Sequence, residues 1–189
     1  MCHALLHDPA FFRLLTRIDA EFAAKTRQGR CPKCAGPLHV ADFPRKPRGC
    51  PPSVREAYSW RLSFTCGWCD ARSTPASVRF LGRRVYVAVA LVLVCPPASS
   101  AAVALAQQLA VPARTVRRWC SWWQKDFQRT AFWQSVRERF VPQVAAETLP
   151  QSLFARFQGR AYRRRLMRLL RFVCPLSTAR VIKYIEGRS

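Results

Sequence analysis

Hydrophobic side chains recur at helical spacing along much of the chain. In residues 8–25 they form one apolar stripe, and Asp8 and Pro9 stand where a cap and a first helical turn are expected. This pattern predicts an amphipathic helix that packs on the body of the protein, although a partner-binding helix has the same pattern. The same spacing predicts further helices at residues 130–140, 149–158, 161–174 and 177–187.

Two helices joined by a tight turn are predicted between residues 101 and 123. The turn is Ala110-Val111-Pro112, and Pro112 can begin the second helix because its missing amide is not needed there. On that helix apolar side chains face inward at Val116, Trp119, Trp122 and Trp123. Outward positions near its N-terminus carry small, hydroxyl and arginine side chains, as a DNA recognition helix does, at Ala113, Arg114, Thr115, Arg117 and Arg118. A plain helical hairpin with a solvated face is the alternative.

The longest apolar run, residues 85–95, has an ambiguous pattern. Its valines favour a strand, whereas its length and the two prolines that follow it favour a buried helix, which is our prediction. The run is too short for the roughly 20 residues that a membrane span needs. No basic segment of the kind that begins a signal peptide is present at the N-terminus, so we expect a cytoplasmic protein.

Two Cys-x-x-Cys pairs, Cys31-Pro-Lys-Cys34 and Cys66-Gly-Trp-Cys69, are the clearest motif in the chain. Each pair adjoins a short strand-like segment, residues 37–41 after the first pair and 60–65 before the second. This order of pair, strand, strand and pair is the arrangement of a zinc ribbon. We therefore predict one structural zinc ion, held tetrahedrally by Cys31, Cys34, Cys66 and Cys69.

Other uses of these cysteines have less support. A disulfide-exchange motif needs the N-terminus of a helix in a βαβ unit, and no such pattern surrounds either pair; unconnected core thiols are a further alternative. His39 or Cys50 could replace one ligand, but His39 fits an ordinary strand position and Cys50 has no paired neighbour. A catalytic zinc would need a nearby general base, and only Asp70 adjoins the second pair.

The charge balance points to a polyanionic partner. The 189 residues include 32 Lys and Arg against 10 Asp and Glu, which gives a formal net charge of +22. A folded domain this basic repels itself unless nucleic acid or another polyanion supplies the opposite charge. A genome rich in G and C would explain the excess of Arg over Lys but not the scarcity of acids. The odd number of cysteines, nine, argues against a disulfide framework.

Three basic segments outside the helix pair supply candidate phosphate contacts. A stiff loop with four prolines, residues 43–52, carries Arg45, Lys46 and Arg48. A second segment, residues 71–84, carries Arg72, Arg79, Arg83 and Arg84. The last long helix has an arginine face formed by Arg164, Arg168 and Arg171. The alternatives are a solvated loop for the first segment and membrane-surface binding for the last helix.

The chain resembles the N-terminal targeting region of insertion-sequence transposases that begin with a zinc ribbon and continue into a helix-turn-helix. The resemblance covers about residues 28–125 and rests on the two cysteine pairs, on Ser73-Thr-Pro-Ala-Ser77 and on residues 109–119. The chain is also similar, nearly end to end, to short bacterial proteins that share its CPxC, PRKPRG and SVRFLGRRVY motifs. The first resemblance implies a DNA-targeting role.

The sequence departs from those transposases after residue 125. They continue into an RNase H-like domain whose carboxylates hold two metal ions, whereas this chain has only Asp126, Glu138, Glu147 and Glu186 there. No phosphate-binding glycine loop or Ser/His/Asp set is present either. We therefore expect a protein that is not an enzyme.

Together these patterns predict a mainly α protein with a small β zinc ribbon. The predicted segments are an N-terminal helix (1–27), the four-cysteine ribbon (28–84), a helix-turn-helix domain (85–140) and a basic helical segment (141–189). The predicted function is double-stranded DNA binding, as a mobile-element accessory factor or a transcriptional regulator. The alternatives are an RNA-binding ribbon, with Trp60, Phe64 and Trp68 stacking on bases, and an adaptor that recruits a transposase or recombinase.

Overall fold

A computed structural model describes residues 2–81, 86–92, 103–104, 106–107 and 109–178. The described part is mainly helical, with small antiparallel sheets, as the sequence predicts. None of its helices is long and apolar enough to cross a membrane. The α-helices are α1 (Pro9–Gln28), α2 (Arg55–Tyr58), α3 (Ala88–Val92), α4 (Ala113–Ser121), α5 (Ala131–Val136), α6 (Gln151–Ala155) and α7 (Tyr162–Val173).

Helix α1 confirms the first prediction and extends three residues beyond it. Its cap is Asp8, whose carboxylate accepts a hydrogen bond from the Ala10 amide at 2.9 Å, and Pro9 occupies the first turn. One face of α1 is buried through Phe11, Phe12 and Leu15. This apolar face anchors the helix to the rest of the protein.

The strands form three small antiparallel sheets. One sheet has the order β1-β4-β5, and the two others pair β2 with β3 and β6 with β7. The strands are β1 (Leu38–Val40), β2 (Phe43–Pro44), β3 (Trp60–Arg61), β4 (Phe64–Cys66), β5 (Arg72–Ser73), β6 (Phe80–Leu81) and β7 (Tyr86–Val87). In the first sheet Leu38 lies opposite Cys66, so the pairing brings the two cysteine pairs together.

The predicted strand at residues 60–65 is divided into β3 and β4. The Asp42 carboxylate accepts a hydrogen bond from the Ser63 amide at 2.8 Å, and the Ala41 amide donates to the Ser63 carbonyl at 2.9 Å. These contacts lie between the two sheets, and β3 and β4 pair with different strands on either side of them.

The apolar run at residues 85–95 is only partly helical, so the prediction of a helix through the whole run is wrong. Its first described residues, Tyr86 and Val87, form β7 and pair with β6, and helix α3 follows directly. The Ala88 amide still donates to the Arg79 carbonyl at 2.7 Å, which continues the strand pairing into the start of the helix. The run therefore begins as a strand and continues as a helix, and its end lies outside the described residues.

One hydrophobic core takes side chains from all parts of the described chain. It includes Leu6 near the N-terminus, Tyr58 beside the ribbon, Val116 of α4 and Leu166 of α7. It contains an aromatic cluster formed by Trp122, Trp123, Phe127 and Trp133, in which Trp122 and Trp123 pack edge to face and the other neighbouring rings are tilted. This core holds the helices together, and we call it the helical core.

The last helices differ from their predictions mainly in length. Thr130 caps α5 by accepting a hydrogen bond from the Trp133 amide at 3.1 Å, and a 3₁₀ turn continues to Arg139. Helix α6 is shorter than the predicted 149–158, and α7 spans nearly all of the predicted 161–174. Beyond Thr178 the predicted final helix lies outside the described residues.

Candidate metal centre and nucleic-acid interface

The four predicted cysteine ligands lie together. Their sulfur atoms are all within 4.8 Å of one another. The Sγ–Sγ distances include 3.7 Å between Cys31 and Cys69, 3.4 Å between Cys34 and Cys66, and 3.3 Å between Cys34 and Cys69. A tetrahedron with zinc–sulfur bonds of about 2.3 Å has edges of about 3.8 Å, so the cluster is close to the size that zinc requires.

The first cysteine pair lies on a tight turn that the backbone closes twice. The Cys31 amide donates to the Gly36 carbonyl at 3.0 Å, and the Ala35 amide donates to the Cys31 carbonyl at 2.8 Å. Ala35 has a φ of 56°, in the left-handed region. A Cβ at Gly36 would lie 2.8 Å from the Cys66 sulfur, so this position needs glycine for the metal cluster to close.

The second pair repeats the same turn. The Cys66 amide donates to the Ala71 carbonyl at 3.0 Å, and the Asp70 amide donates to the Cys66 carbonyl at 3.1 Å. Asp70 has a φ of 53° and takes the place that Ala35 has in the first turn. Two matching turns thus present two cysteines each to one common centre.

Backbone amides favour thiolates in this cluster. The Lys33 amide donates to the Cys31 sulfur at 3.4 Å and is the main cause that lowers the pKa of Cys31 to about 6. For Cys34 the Gly36 amide also favours the thiolate, but hydrogen bonds with the other cysteines and burial raise its pKa to about 12. Burial opposes ionisation of Cys66, yet the amides of Trp68 and Cys69 outweigh it and lower its pKa. One thiol ionises readily while its neighbour keeps a proton that a metal ion would displace.

His39 and Cys50, the two alternative ligands, lie outside the centre, as the sequence indicates. Cys50 is buried in the helical core, and His39 is exposed on β1 beside Gly67. Four thiolates fill a tetrahedral zinc site and leave no open position for a substrate. This donor set fits a structural metal ion.

The candidate nucleic-acid residues divide by exposure. Nine of them have exposed side chains, namely Lys46, Arg48, Arg72, Arg114, Arg117, Arg118, Arg164, Arg168 and Arg171. Arg45 is half-buried, and its guanidinium lies 4.2 Å from the centre of the Phe43 ring. Arg83 and Arg84 lie outside the described residues.

Arg79 does not belong to this interface, so its predicted role is wrong. Its side chain is 2% exposed and forms an ion pair of 2.7 Å with Asp19, which is itself buried on α1. The Arg79 guanidinium also donates to the Ala57 carbonyl at 2.6 Å, and the Asp19 carboxylate accepts from the Ser77 hydroxyl and the Val78 amide. A charge with these partners is part of the core and is not available to a phosphate.

Thr115 is also buried, so its predicted contact with DNA bases is wrong. It is 2% exposed, and its hydroxyl has no hydrogen-bond partner among the described residues. The reason is helical geometry, because Thr115 stands four residues before the buried Trp119 and shares its inward face. Arg114, Arg117 and Arg118 remain on the outside of α4.

A turn leads into α4 much as predicted. Residues 103, 104, 106 and 107 are helical, and the chain then turns at Ala110, whose φ is 49°. The Val111 amide donates to the Ala106 carbonyl at 3.0 Å, which closes the turn. Pro112 occupies the N-cap position of α4 with extended backbone, so the first helical residue is Ala113.

A basic cavity of about 610 Å³ lies between the proline-rich loop and this turn. Arg45, Lys46 and Arg48 line it from the loop, and Leu109 and Ala110 line it from the turn. Its described lining contains no carboxylate. The Arg45 Nε is buried and has no partner among the described residues, and burial lowers the pKa of Arg45.

Sequence reasoning missed one residue of this cavity, Arg55. It stands at the start of α2 and lines the cavity together with the loop cations. The signal was the continuation of basic residues beyond the prolines of the loop, but only the fold shows that Arg55 returns to the same cavity.

The arginine face of α7 is present, but it lies apart from the cavity lining. Arg164, Arg168 and Arg171 are exposed, and the Arg168 guanidinium donates to the Gln158 carbonyl at 2.6 Å. No family model matches the chain, and no curated protein or solved structure matches it.

Proposed function

We propose that the protein binds double-stranded DNA and does not catalyse a reaction. The observation that carries this proposal is the basic cavity, in which a ribbon loop and the turn before α4 contribute to one surface without a carboxylate in its described lining. Phosphate groups are the ligands that such a set of cations attracts most strongly. A duplex offers them in a row long enough to reach both elements.

The metal centre acts as a scaffold in this proposal. Zinc would join the turn that carries Cys31 and Cys34 to the turn that carries Cys66 and Cys69, and would thereby fix the strands between them. The proline-rich loop starts at β2 and ends shortly before β3, so a fixed ribbon holds Lys46 and Arg48 in place. Zinc therefore supports binding without touching the nucleic acid.

Helix α4 would serve as the recognition helix of a helix-turn-helix. Its exposed Arg114, Arg117 and Arg118 can reach guanine edges and the phosphates beside them, because arginine forms paired hydrogen bonds with both. The resemblance to transposase targeting regions favours a role as a mobile-element accessory factor, with a transcriptional regulator as the other form of the same activity.

RNA binding is the second candidate, because two aromatic side chains of the ribbon are exposed. Trp60 and Trp68 could stack on unpaired bases. Phe64, the third side chain predicted for stacking, is buried in the ribbon and is excluded from this role. The contact that Trp60 and Trp68 offer to RNA is smaller than the contact that the basic cavity and α4 together offer to DNA.

Competition binding tests the choice. The zinc-loaded protein is titrated into a labelled duplex at fixed salt, followed by fluorescence anisotropy, with unlabelled duplex or single-stranded RNA as competitor. We expect the duplex to compete better. Stronger competition by single-stranded RNA would replace the DNA assignment with the RNA one.

Two variants separate base reading from phosphate binding. Arg117→Ala should reduce discrimination at one base pair by about 1–3 kcal/mol, whereas Lys46→Ala should weaken all duplexes alike and lower the salt dependence. Arg13→Ala is the matched control, because Arg13 is exposed on α1 and lines neither the basic cavity nor α4. Equal losses on all sequences for Arg117→Ala and Lys46→Ala would reject α4 as the recognition helix.

A further inference from the structure

A second cavity, of about 510 Å³, lies where α1, the first cysteine turn and β5 meet. Three cations line it from these three elements, namely Lys25, Arg30 and Arg72. Its described lining contains no carboxylate, and it shares no residue with the basic cavity beside α4. The charge of this second cavity therefore has no acidic partner within its described walls.

One lining residue of this cavity, Ser73, has a buried hydroxyl without a hydrogen-bond partner among the described residues. Ser73 of β5 is 8% exposed, and its Oγ has no hydrogen bond to any described residue. A buried hydroxyl normally has a partner, because removing it from water without one costs free energy. A ligand in the cavity would supply the missing acceptor.

The other hydroxyls of the lining are already engaged. Thr26 and Thr178 donate to backbone carbonyls at 2.9 and 3.0 Å, and Thr74 shares a hydrogen bond with the Ser63 hydroxyl at 3.2 Å. Ser73 is thus the one lining hydroxyl, among the described residues, that is both buried and available. Arg72, the preceding residue of β5, is exposed, and its guanidinium lies 5.3 Å from the centre of the Phe43 ring.

We propose that this second cavity binds the phosphate of a nucleotide. Arg30 and Arg72 can each form paired hydrogen bonds with phosphate oxygens, Lys25 adds a third positive charge, and the Ser73 hydroxyl donates to one oxygen. The volume lies within the range of about 300–1,000 Å³ that is usual for small-molecule sites, so the sugar attached to the phosphate also has room. The nucleotide is either free or part of a bound duplex.

The first cysteine turn positions two residues of this site. Arg30 directly precedes Cys31 and has a φ of 57°, and Pro32 of the same turn also lines the cavity. A metal ion that fixes this turn also fixes Arg30. Nucleotide binding is therefore expected to require zinc, although zinc does not contact the ligand.

The test measures binding of deoxyadenosine monophosphate and of inorganic phosphate to the zinc-loaded full chain by titration calorimetry. Arg72→Ala and Ser73→Ala should weaken nucleotide binding by about tenfold and about fivefold, because each removes a hydrogen bond to a charged group. Arg13→Ala, the matched control, should change it less than about twofold, since an exposed residue distant from the cavity contributes only through screened charge.

Thermal unfolding of Ser73→Ala separates binding from folding. Removal of a hydroxyl that lacks a partner should leave the melting temperature of the free protein unchanged or raised, while binding becomes weaker. A role in the fold alone would instead lower the melting temperature and leave the nucleotide affinity of the folded protein intact.

Duplex binding identifies the source of the phosphate. If free nucleotide does not bind, but Arg72→Ala and Ser73→Ala weaken duplex binding more than Arg13→Ala does, the site holds a nucleotide of the duplex. If neither free nucleotide nor duplex binding responds to these variants beyond the control, the proposal is overturned. Nucleotide binding without any duplex binding would reject the proposed DNA function and leave this site in place.

Discussion

Two regions of the molecule are stabilised in different ways. One is the ribbon, formed by the two cysteine turns with β1, β4 and β5, and the other is the helical body, formed by the elements that pack around the helical core. The apolar cluster of the ribbon consists, among the described residues, of Ala23, Cys31, Leu38, Phe64 and Cys66, and two of these five are cysteines of the cluster that could hold a metal ion. The helical core instead contains large fully buried side chains such as Trp119 and Trp123. Burial of large aromatic side chains stabilises a domain without a cofactor.

Because of this difference, we expect hydrophobic burial to stabilise the helical body and metal binding to stabilise the ribbon. A segment with so small an apolar cluster gains little from hydrophobic burial, so under the proposed zinc binding we expect its order to depend on bonds to the metal ion. The helical body needs no such bonds. Loss of metal should therefore affect one region and leave the other, and loss of a core tryptophan should do the reverse.

The largest expected effect is on the ribbon. Cys66→Ser should abolish zinc binding and remove the protection of the amides in β1 and β4, while amides of α7 stay protected. Elemental analysis and hydrogen exchange measure the two quantities. Cys120→Ser is the control, because Cys120 lies on α4, away from the four-cysteine centre, and should leave the zinc content unchanged. A protein that keeps a protected β4 without metal would disprove the dependence of the ribbon on zinc.

The second expected effect is on the helical body. Trp123→Ala should cost about 3–5 kcal/mol of unfolding free energy, because it leaves a cavity in the aromatic cluster. The Trp123 ring centre lies 4.9 Å from that of Trp122 and 4.6 Å from that of Phe127. The folded fraction should keep its zinc. Trp68→Ala is the matched control: Trp68 is 68% exposed, and its loss should cost less than about 1 kcal/mol. Denaturant unfolding provides both values, and equal costs would contradict the division between the two regions.

The third effect concerns the buried ion pair between Asp19 of α1 and Arg79, which follows the ribbon in the chain. Asp19→Asn should cost about 3 kcal/mol, because it leaves the Arg79 charge buried without its carboxylate. The double variant Asp19→Leu/Arg79→Met should cost less than this single change, since it removes both charges. Denaturant unfolding of the three proteins measures the difference. A double variant that is less stable than Asp19→Asn would show that the pair stabilises beyond its mutual neutralisation.

The fourth effect is the pH dependence of metal binding. The raised pKa of Cys34 means that zinc must displace its proton at neutral pH, so the apparent zinc affinity falls as the pH is lowered. Below a pH of about 6 the Cys31 thiolate also takes up a proton, and the decrease becomes steeper. For each proton that zinc displaces, the apparent zinc affinity falls about tenfold when the pH is lowered by one unit. Competition with a chelator between pH 5 and pH 8 measures the slope, and a constant affinity would contradict these protonation states.

The smallest effect tests the matching turns. Ala35→Gly should stabilise the first turn by about 0.5 kcal/mol, because glycine adopts a positive φ without strain but loses more freedom on folding. Asp70→Gly should act in the same direction at the equivalent place. Zinc affinity measures both, with Gly36→Ala as the contrast, since its Cβ would press on the Cys66 sulfur and weaken binding. A gain in affinity for Gly36→Ala would show that the turn geometry does not hold the metal ligands.

The sequence predicts correctly that the four cysteines come together, because their spacing alone indicates it. A Cys-x-x-Cys pair presents both sulfur atoms on one side of a turn, whatever the surrounding fold. The sequence also predicts α1 and α7, where a long apolar stripe and clear end signals agree. In these cases the local pattern contains the information.

The error at Thr115 was avoidable, because its spacing of four residues from Trp119 is a local pattern that places both on the inward face of α4. Two other errors arise because partners far apart in the chain cannot be seen in a local pattern. Arg79 looks like an exposed cation until Asp19, sixty residues earlier, is placed beside it. Tyr86 and Val87 pair with β6 before the chain becomes helical at Ala88, and this pairing depends on where Phe80 lies. The π-helical turn at Trp122–Asp126 lies within the aromatic cluster and was not predicted from the sequence.

The ion pair between Asp19 and Arg79 has a mechanical consequence. Helix α1 leads into the ribbon and Arg79 follows it, so the pair ties the exit of the ribbon to the helix by which the chain enters it. Separating the pair would leave two buried charges without partners, so the two ends of the ribbon stay side by side. If the proposed duplex binding is correct, Lys46 and Arg117 contact the duplex at a fixed separation. Insertion of about five base pairs, half a helical turn, between the two contacts should then break one of them.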